Sequence, residues 1–175
     1  MDTIARTDPP YTADEVTTLR SFVDFYRATL RRQCAGLTAE ELRTTLPPST
    51  MTLGGLLKHL AWVEQFWFGE ILHGQDPAEP WASAPWDTDG DWEWTSAQHD
   101  APEDLDALFV ASVTAADRNL DAALADGGLD TTAVRERHGE PVSVRWILVH
   151  MVEEYSRHAG HADLLRESLD GATDL

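Results

Sequence analysis

Four stretches of this chain repeat their apolar residues at helical spacing, and none alternates them as a strand would. A chain written in that single period folds into helices packed on helices, because a helix with one apolar face needs another such face to cover it. The first stretch runs from Thr12 to Cys34, with Leu19, Phe22, Val23, Tyr26 and Leu30 in phase. Thr12 followed by Glu15 has the form of a capping box, which predicts the helix start there. The second runs from Thr52 to His73 on Leu53, Leu56, Leu57, Leu60, Val63 and Trp67, and Pro47-Pro48 separates it from the first. The third runs from Pro102, suited to a first helical position, to Asp126, where Gly127-Gly128 ends it. Turn residues His138-Gly139-Glu140-Pro141 precede the fourth, from Ser143 to Leu169, with Gly171 beyond its end. Helices of this length, joined this way, predict an all-α four-helix bundle. The whole chain, residues 1–175, is long enough for one such domain and short for two.

Residues 74–101 break the pattern. They carry Pro77, Pro80 and Pro85, several aspartates, and Trp81, Trp86, Trp92 and Trp94. A connection of about 28 residues is long for a compact domain and is often functional. Its tryptophans either pin the loop to the bundle or wall a pocket, and the loop is expected to cover one side of any cleft on the helices.

Charge narrows the partners. A formal net charge of −18 repels phosphate backbones and anionic membrane surfaces, so neither nucleic acid nor a membrane is expected. The single cysteine, Cys34, permits no intrachain disulfide, and the first residues lack the apolar run of a signal peptide. A cytoplasmic location is the expectation.

The chemistry is concentrated in the fourth helix. At about 100° per residue, with His150 at zero, Glu154 falls near 40°, His158 near 80° and His161 near 20°. The four share one polar stripe, beside an apolar face of Val144, Leu148, Met151, Tyr155, Ala159 and Ala162. Unpaired, such groups cost several kcal/mol to bury, and a metal ion is one natural partner. Imidazoles and carboxylates are common zinc ligands, and residues four apart on a helix, as Glu154 and His158 are, grip one ion. A third ligand has to come from another helix. His59, at the edge of the second helix's apolar face, is the best candidate, although a histidine there also reads as an ordinary core residue.

At these residues the chain resembles the DinB-like metal-binding four-helix bundles, most closely an actinobacterial branch of them. The resemblance rests on Leu53-Gly54-Gly55-Leu56-Leu57-Lys58-His59-Leu60 and on the stretch from Val144-Arg145-Trp146 to Arg166-Glu167. Within the latter, Glu153-Glu154, Arg157-His158-Ala159-Gly160-His161-Ala162-Asp163 and the following Asp170-Gly171 are the specific parts. Many such bundles carry a His-x-x-x-His pair on the last helix. Here Glu154 replaces its first member, as in the related mycothiol-dependent maleylpyruvate isomerases. The resemblance implies His59, Glu154 and His158 as ligands of a divalent ion. Zinc is the first expectation, with Ni2+, Fe2+ and Mn2+ also compatible.

It further implies a thiol S-transferase or isomerase using a low-molecular-weight thiol such as mycothiol, with an electrophile as the second substrate and a homodimer as the assembly. Three protein ligands leave a coordination place open, as catalytic sites do. His150 and His161 would orient a ligand or shuttle a proton, or else are solvated helix residues. Arg157 or Arg166 would bind a substrate carboxylate or pair with surface acids. His73, His99 and His138 lie at helix ends or in connectors and are assigned no chemistry. A metal-dependent hydrolase and a non-catalytic binding protein are the alternatives.

Overall fold

The structure, a computed structural model, describes residues 4–173. Helix α1 spans Glu15–Cys34. Its cap is Asp14, which accepts from the Thr17 amide at 2.9 Å, so the expected Thr12 cap is displaced by two residues. A carboxylate at that position satisfies a free amide and also meets the positive end of the helix dipole. A one-turn helix, α2 (Ala39–Leu42), has the capping box instead, between Thr38 and Glu41. It was too short to show a period.

Helix α3 spans Leu53–Glu64, capped by Thr52, and runs straight into a π-helical segment, Gln65–Ile71. The expected loop after it is partly structured. It contains α4 (Trp92–Ser96) and a 3-10 turn, Ala97–His99. Helices α5 (Pro102–Gly127) and α6 (Val144–Asp170) follow, α6 capped by Ser143 and closed by Gly171 in the left-handed region. Between them a connector makes two isolated bridges, Thr132 with Ser143 and Arg137 with Glu140, and the described residues contain no strand. No described helix is long and apolar enough to cross a membrane.

Contacts along the rods give their directions. Arg145 pairs with Glu15 at 2.8 Å and Gln33 bonds Asp163, so α1 and α6 run parallel. Arg27 meets Glu64 while the Cys34 thiol reaches the Leu53 carbonyl, so α1 and α3 run antiparallel. His73 lies 2.8 Å from the Asn119 carbonyl and Gly54 packs near Leu105, so α3 and α5 run parallel. The order is therefore up, down, down, up. Two consecutive helices pointing the same way need a connection that travels back along the bundle, and this explains the length of residues 74–101. Backbone bonds from Val134 and Arg135 to the carbonyls of Leu72 and Ile71 tie the α5–α6 connector to the end of the π-helical segment.

The core is aliphatic and aromatic, with Leu56, Leu60, Phe68, Ile147, Leu148 and Met151 fully buried. One polar network crosses it. Arg27, on α1, donates twice to Glu64, both bonds 2.7 Å, and Tyr155 on α6 donates to the same carboxylate at 2.7 Å. Asp24 and Asp117 accept from the remaining guanidinium nitrogen. Burial alone would lower the Arg27 pKa, but Glu64 holds it well above its ordinary value. Burial and then the neighbouring Glu64 charge push the Tyr155 hydroxyl well up, so it stays a donor.

Candidate metal centre

The stripe on α6 faces α3, and α3 turns His59 towards it. The His59 and His158 rings lie 5.1 Å apart, edge to face. One ligand atom from each of His59, Glu154 and His158 can be chosen so that all three lie within 4.8 Å of one another. His158 Nε2 is 3.5 Å from Glu154 Oε2. Two ligands at about 2.1 Å from a tetrahedral ion are about 3.4 Å apart, so the spacing of this pair fits a shared ion. The donor set fits as well: two imidazoles and one carboxylate, half to mostly buried, with no lysine or arginine among them.

His158 is the first cause holding the Glu154 carboxyl below its ordinary value, against the opposing effect of burial, with His150 and His59 adding to it. The two oxygens of Glu154 are divided. Oε2 faces His158, and Oε1 lies 3.6 Å from His150 Nε2. His150 is held by stacking on Trp146 at 4.9 Å and by the edge of Trp67 at 4.7 Å, and its Nδ1 is 3.2 Å from Glu153. His150, Glu153 and Glu154 form a second cluster of donor atoms, more exposed than the first.

His161 stands behind His158, their Nδ1 atoms 3.4 Å apart. Burial, then the His158 and Arg157 charges, lower its pKa. Arg157 points to solvent, 68% exposed, with Glu153 at 3.9 Å. Arg166 is partly buried at the other end of α6, where it donates to the Gln33 and Ala35 carbonyls and so closes the end of α1.

A cavity of about 600 Å³ opens on His59, His150 and Glu154. Its walls are Trp62, Val63, Phe66, Trp67 and Trp146. Phe66 and Trp67 belong to the π-helical segment, where the wider turn shifts side chains off the α-helical phase; such segments are common at functional sites. Arg137 and His138, from the tip of the α5–α6 connector, form the rim, and Arg137 lies over the Phe66 ring at 5.5 Å. His138, a connector residue by sequence, thus borders the cavity.

The Trp-rich loop does two things. Trp81 is buried and accepts from Trp86 within the loop, while Lys58 over Trp92 and Trp62 against Trp86 pin the loop to α3. Trp94 instead stacks on His59 at 4.7 Å and, with His158, lines a second cavity of about 370 Å³. Gly55 makes this possible. A Cβ there would meet the Trp94 ring at 2.6 Å, so only glycine lets the indole rest on the first turn of α3. Beside Trp94, the Glu93 side chain reaches His59, its Oε1 3.1 Å from Nδ1. Glu93 is not legible in the sequence: it sits in a stretch without periodicity, flanked by two tryptophans, and the WEW triplet is its only signal.

Fold and side chains together define a four-helix bundle with a three-donor site opening onto an aromatic cavity. The mycothiol-S-transferase family model matches residues 18–171. The chain belongs to that family, which is DinB-like. Among solved structures it is similar to one titled as a conserved protein from Enterococcus faecalis, at 19% identity and a TM-score of 0.63, covering 92% of this chain and 100% of that one. That likeness bears on the fold. A comparison with curated proteins finds no match.

Proposed function

We propose that the protein is a metal-dependent thiol S-transferase that joins a mycothiol-type thiol to an apolar electrophile. The observation that carries this is the three-donor cluster of His59, Glu154 and His158, of which His59 and Glu154 line the aromatic cavity. The cluster offers one carboxylate and two imidazoles, so a divalent ion held by it would keep a positive excess and favour the thiolate form of a bound thiol. His59, Glu154 and His158 would hold that ion. The walls of Trp62, Phe66, Trp67 and Trp146 would exclude water and seat the apolar part of the electrophile. His150 lies next to Glu154 at the edge of the cavity, where it would accept the thiol proton and pass it to Glu153 and solvent. The sulfur would then bond to the electrophilic carbon: in a substitution the bond to the leaving group would break and its electron pair depart with that group, and in an addition to an enone the displaced π pair would take a proton from solvent.

Untagged protein incubated with mycothiol and a panel of haloarenes or enones tests this. Thiol-conjugate formation should require both thiol and metal. It should be lost on chelation, restored by zinc, and abolished in His158→Ala. A conjugation rate indifferent to chelation would overturn the reading. Thiol-independent consumption of an ester or amide would replace it with a hydrolase.

A further inference from the structure

We propose that Glu93 is a positioning residue for the metal centre: it fixes His59 in the tautomer that carries its proton on Nδ1 and leaves Nε2 for the ion. The proposal rests on His59, Glu154 and His158 as the ligand set. Glu93 is 5% exposed, a depth at which a carboxylate needs compensation. Among the described residues its one hydrogen-bond partner is His59 Nδ1 at 3.1 Å, and its other oxygen is buried without one. A neutral imidazole is weak compensation for a buried charge. An imidazole bound to a cation through its far nitrogen is much better, because the bound charge polarises the N–H that faces the carboxylate. Metal-ligating histidines commonly have such a carboxylate behind them, and it raises their basicity as donors.

Geometry separates this role from direct ligation. Glu93 is not among the residues whose donor atoms cluster with those of His59, Glu154 and His158. It approaches His59 from α4 at Nδ1, which leaves Nε2 for the ion. Trp94, the next residue, stacks on the same ring at 4.7 Å, so one turn of α4 sets both the tilt of the imidazole and its proton. The long crossover between α3 and α5 therefore carries part of the metal centre.

Two-bond nitrogen–proton spectra of metal-free protein read the tautomer directly, and zinc affinity by chelator competition reads the consequence. In the wild type His59 should show the Nδ1–H form. Glu93→Gln keeps an acceptor and should retain that tautomer while binding zinc more weakly. Glu93→Ala should lose the single tautomer and weaken zinc by about 10- to 100-fold. If Glu93→Ala does not fold, Glu93→Gln decides alone, and wild-type affinity in it overturns the proposal. A His158→Ala protein that binds zinc as the wild type does would overturn the ligand set and this proposal with it. Impaired zinc binding in His158→Ala, but wild-type affinity in both Glu93 variants, would overturn the role of Glu93 alone.

Discussion

Two carboxylates of this bundle, Glu64 and Glu154, face across the same pair of helices and live under opposite rules. Glu64 is completely buried and completely satisfied, by a bidentate arginine and a tyrosine hydroxyl. Glu154 keeps part of its surface and has only imidazoles around it, at 3.5 and 3.6 Å. Tyr155 serves the first cluster and its neighbour in sequence, Glu154, the second, so one turn of α6 belongs to both. The difference is where the positive charge comes from. In the first cluster the chain supplies it through Arg27, and the network is closed. In the second the chain supplies donors but no cation, and the site opens onto a cavity. A polar cluster that is satisfied from within holds helices together, whereas the Glu154 cluster is the one proposed above to take its counter-charge from a bound ion.

The largest effect that would break this contrast is expected at Arg27. Removing one partner of a buried pair typically costs about 3–5 kcal/mol, because the other charge is stranded. Arg27→Ala should lose stability on that scale in urea denaturation of metal-free protein, whereas His158→Ala should stay near the wild type. Similar losses in the two variants would mean that both clusters are structural. The next effect belongs to the metal. Zinc at about 100 times its dissociation constant should stabilise the wild type by about 2.7 kcal/mol and His158→Ala by far less. His138→Ala should respond like the wild type, since its residue borders the cavity without joining the donor set.

A smaller effect sharpens the closed side. Tyr155→Phe removes one bond to a charged acceptor that keeps its arginine, so a loss of about 1.5–3 kcal/mol is expected from thermal or urea unfolding. The smallest concerns pH. The Glu154 carboxyl is held below its ordinary value of 4.5, chiefly by its bond with His158. Its contribution to metal-free stability is therefore present above about pH 4.5, where the unfolded chain is ionised, and is lost as pH falls through the lower folded value. Glu154→Gln should flatten the urea midpoint between about pH 5 and 3 relative to the wild type. An unchanged slope would show that Glu154 gains nothing from its histidines before metal binds.

Helical period, proline and glycine punctuation, and the alignment of His150, Glu154, His158 and His161 were all local properties, so the four long helices and the α6 stripe could be read residue by residue. Other features could not. The π-helical segment has the composition of the α-helix it extends. The helix α4 is too short for a period, and Asp14 displaced Thr12 as a cap because several polar residues near a helix start compete for the same amides.

Within the candidate site, the sequence by itself determined which side chains of α6 share a face and that His59 lies on the edge of its helix. Only the tertiary structure decided that α3 turns His59 to within reach of that face, that Arg157 faces solvent, and that the crossover returns Glu93 and Trp94 to the same imidazole. The reason is physical. A helix repeats every 3.6 residues and so records its own faces in sequence, but the approach of a loop residue to a helix depends on packing between segments far apart in the chain, which leaves no period to read.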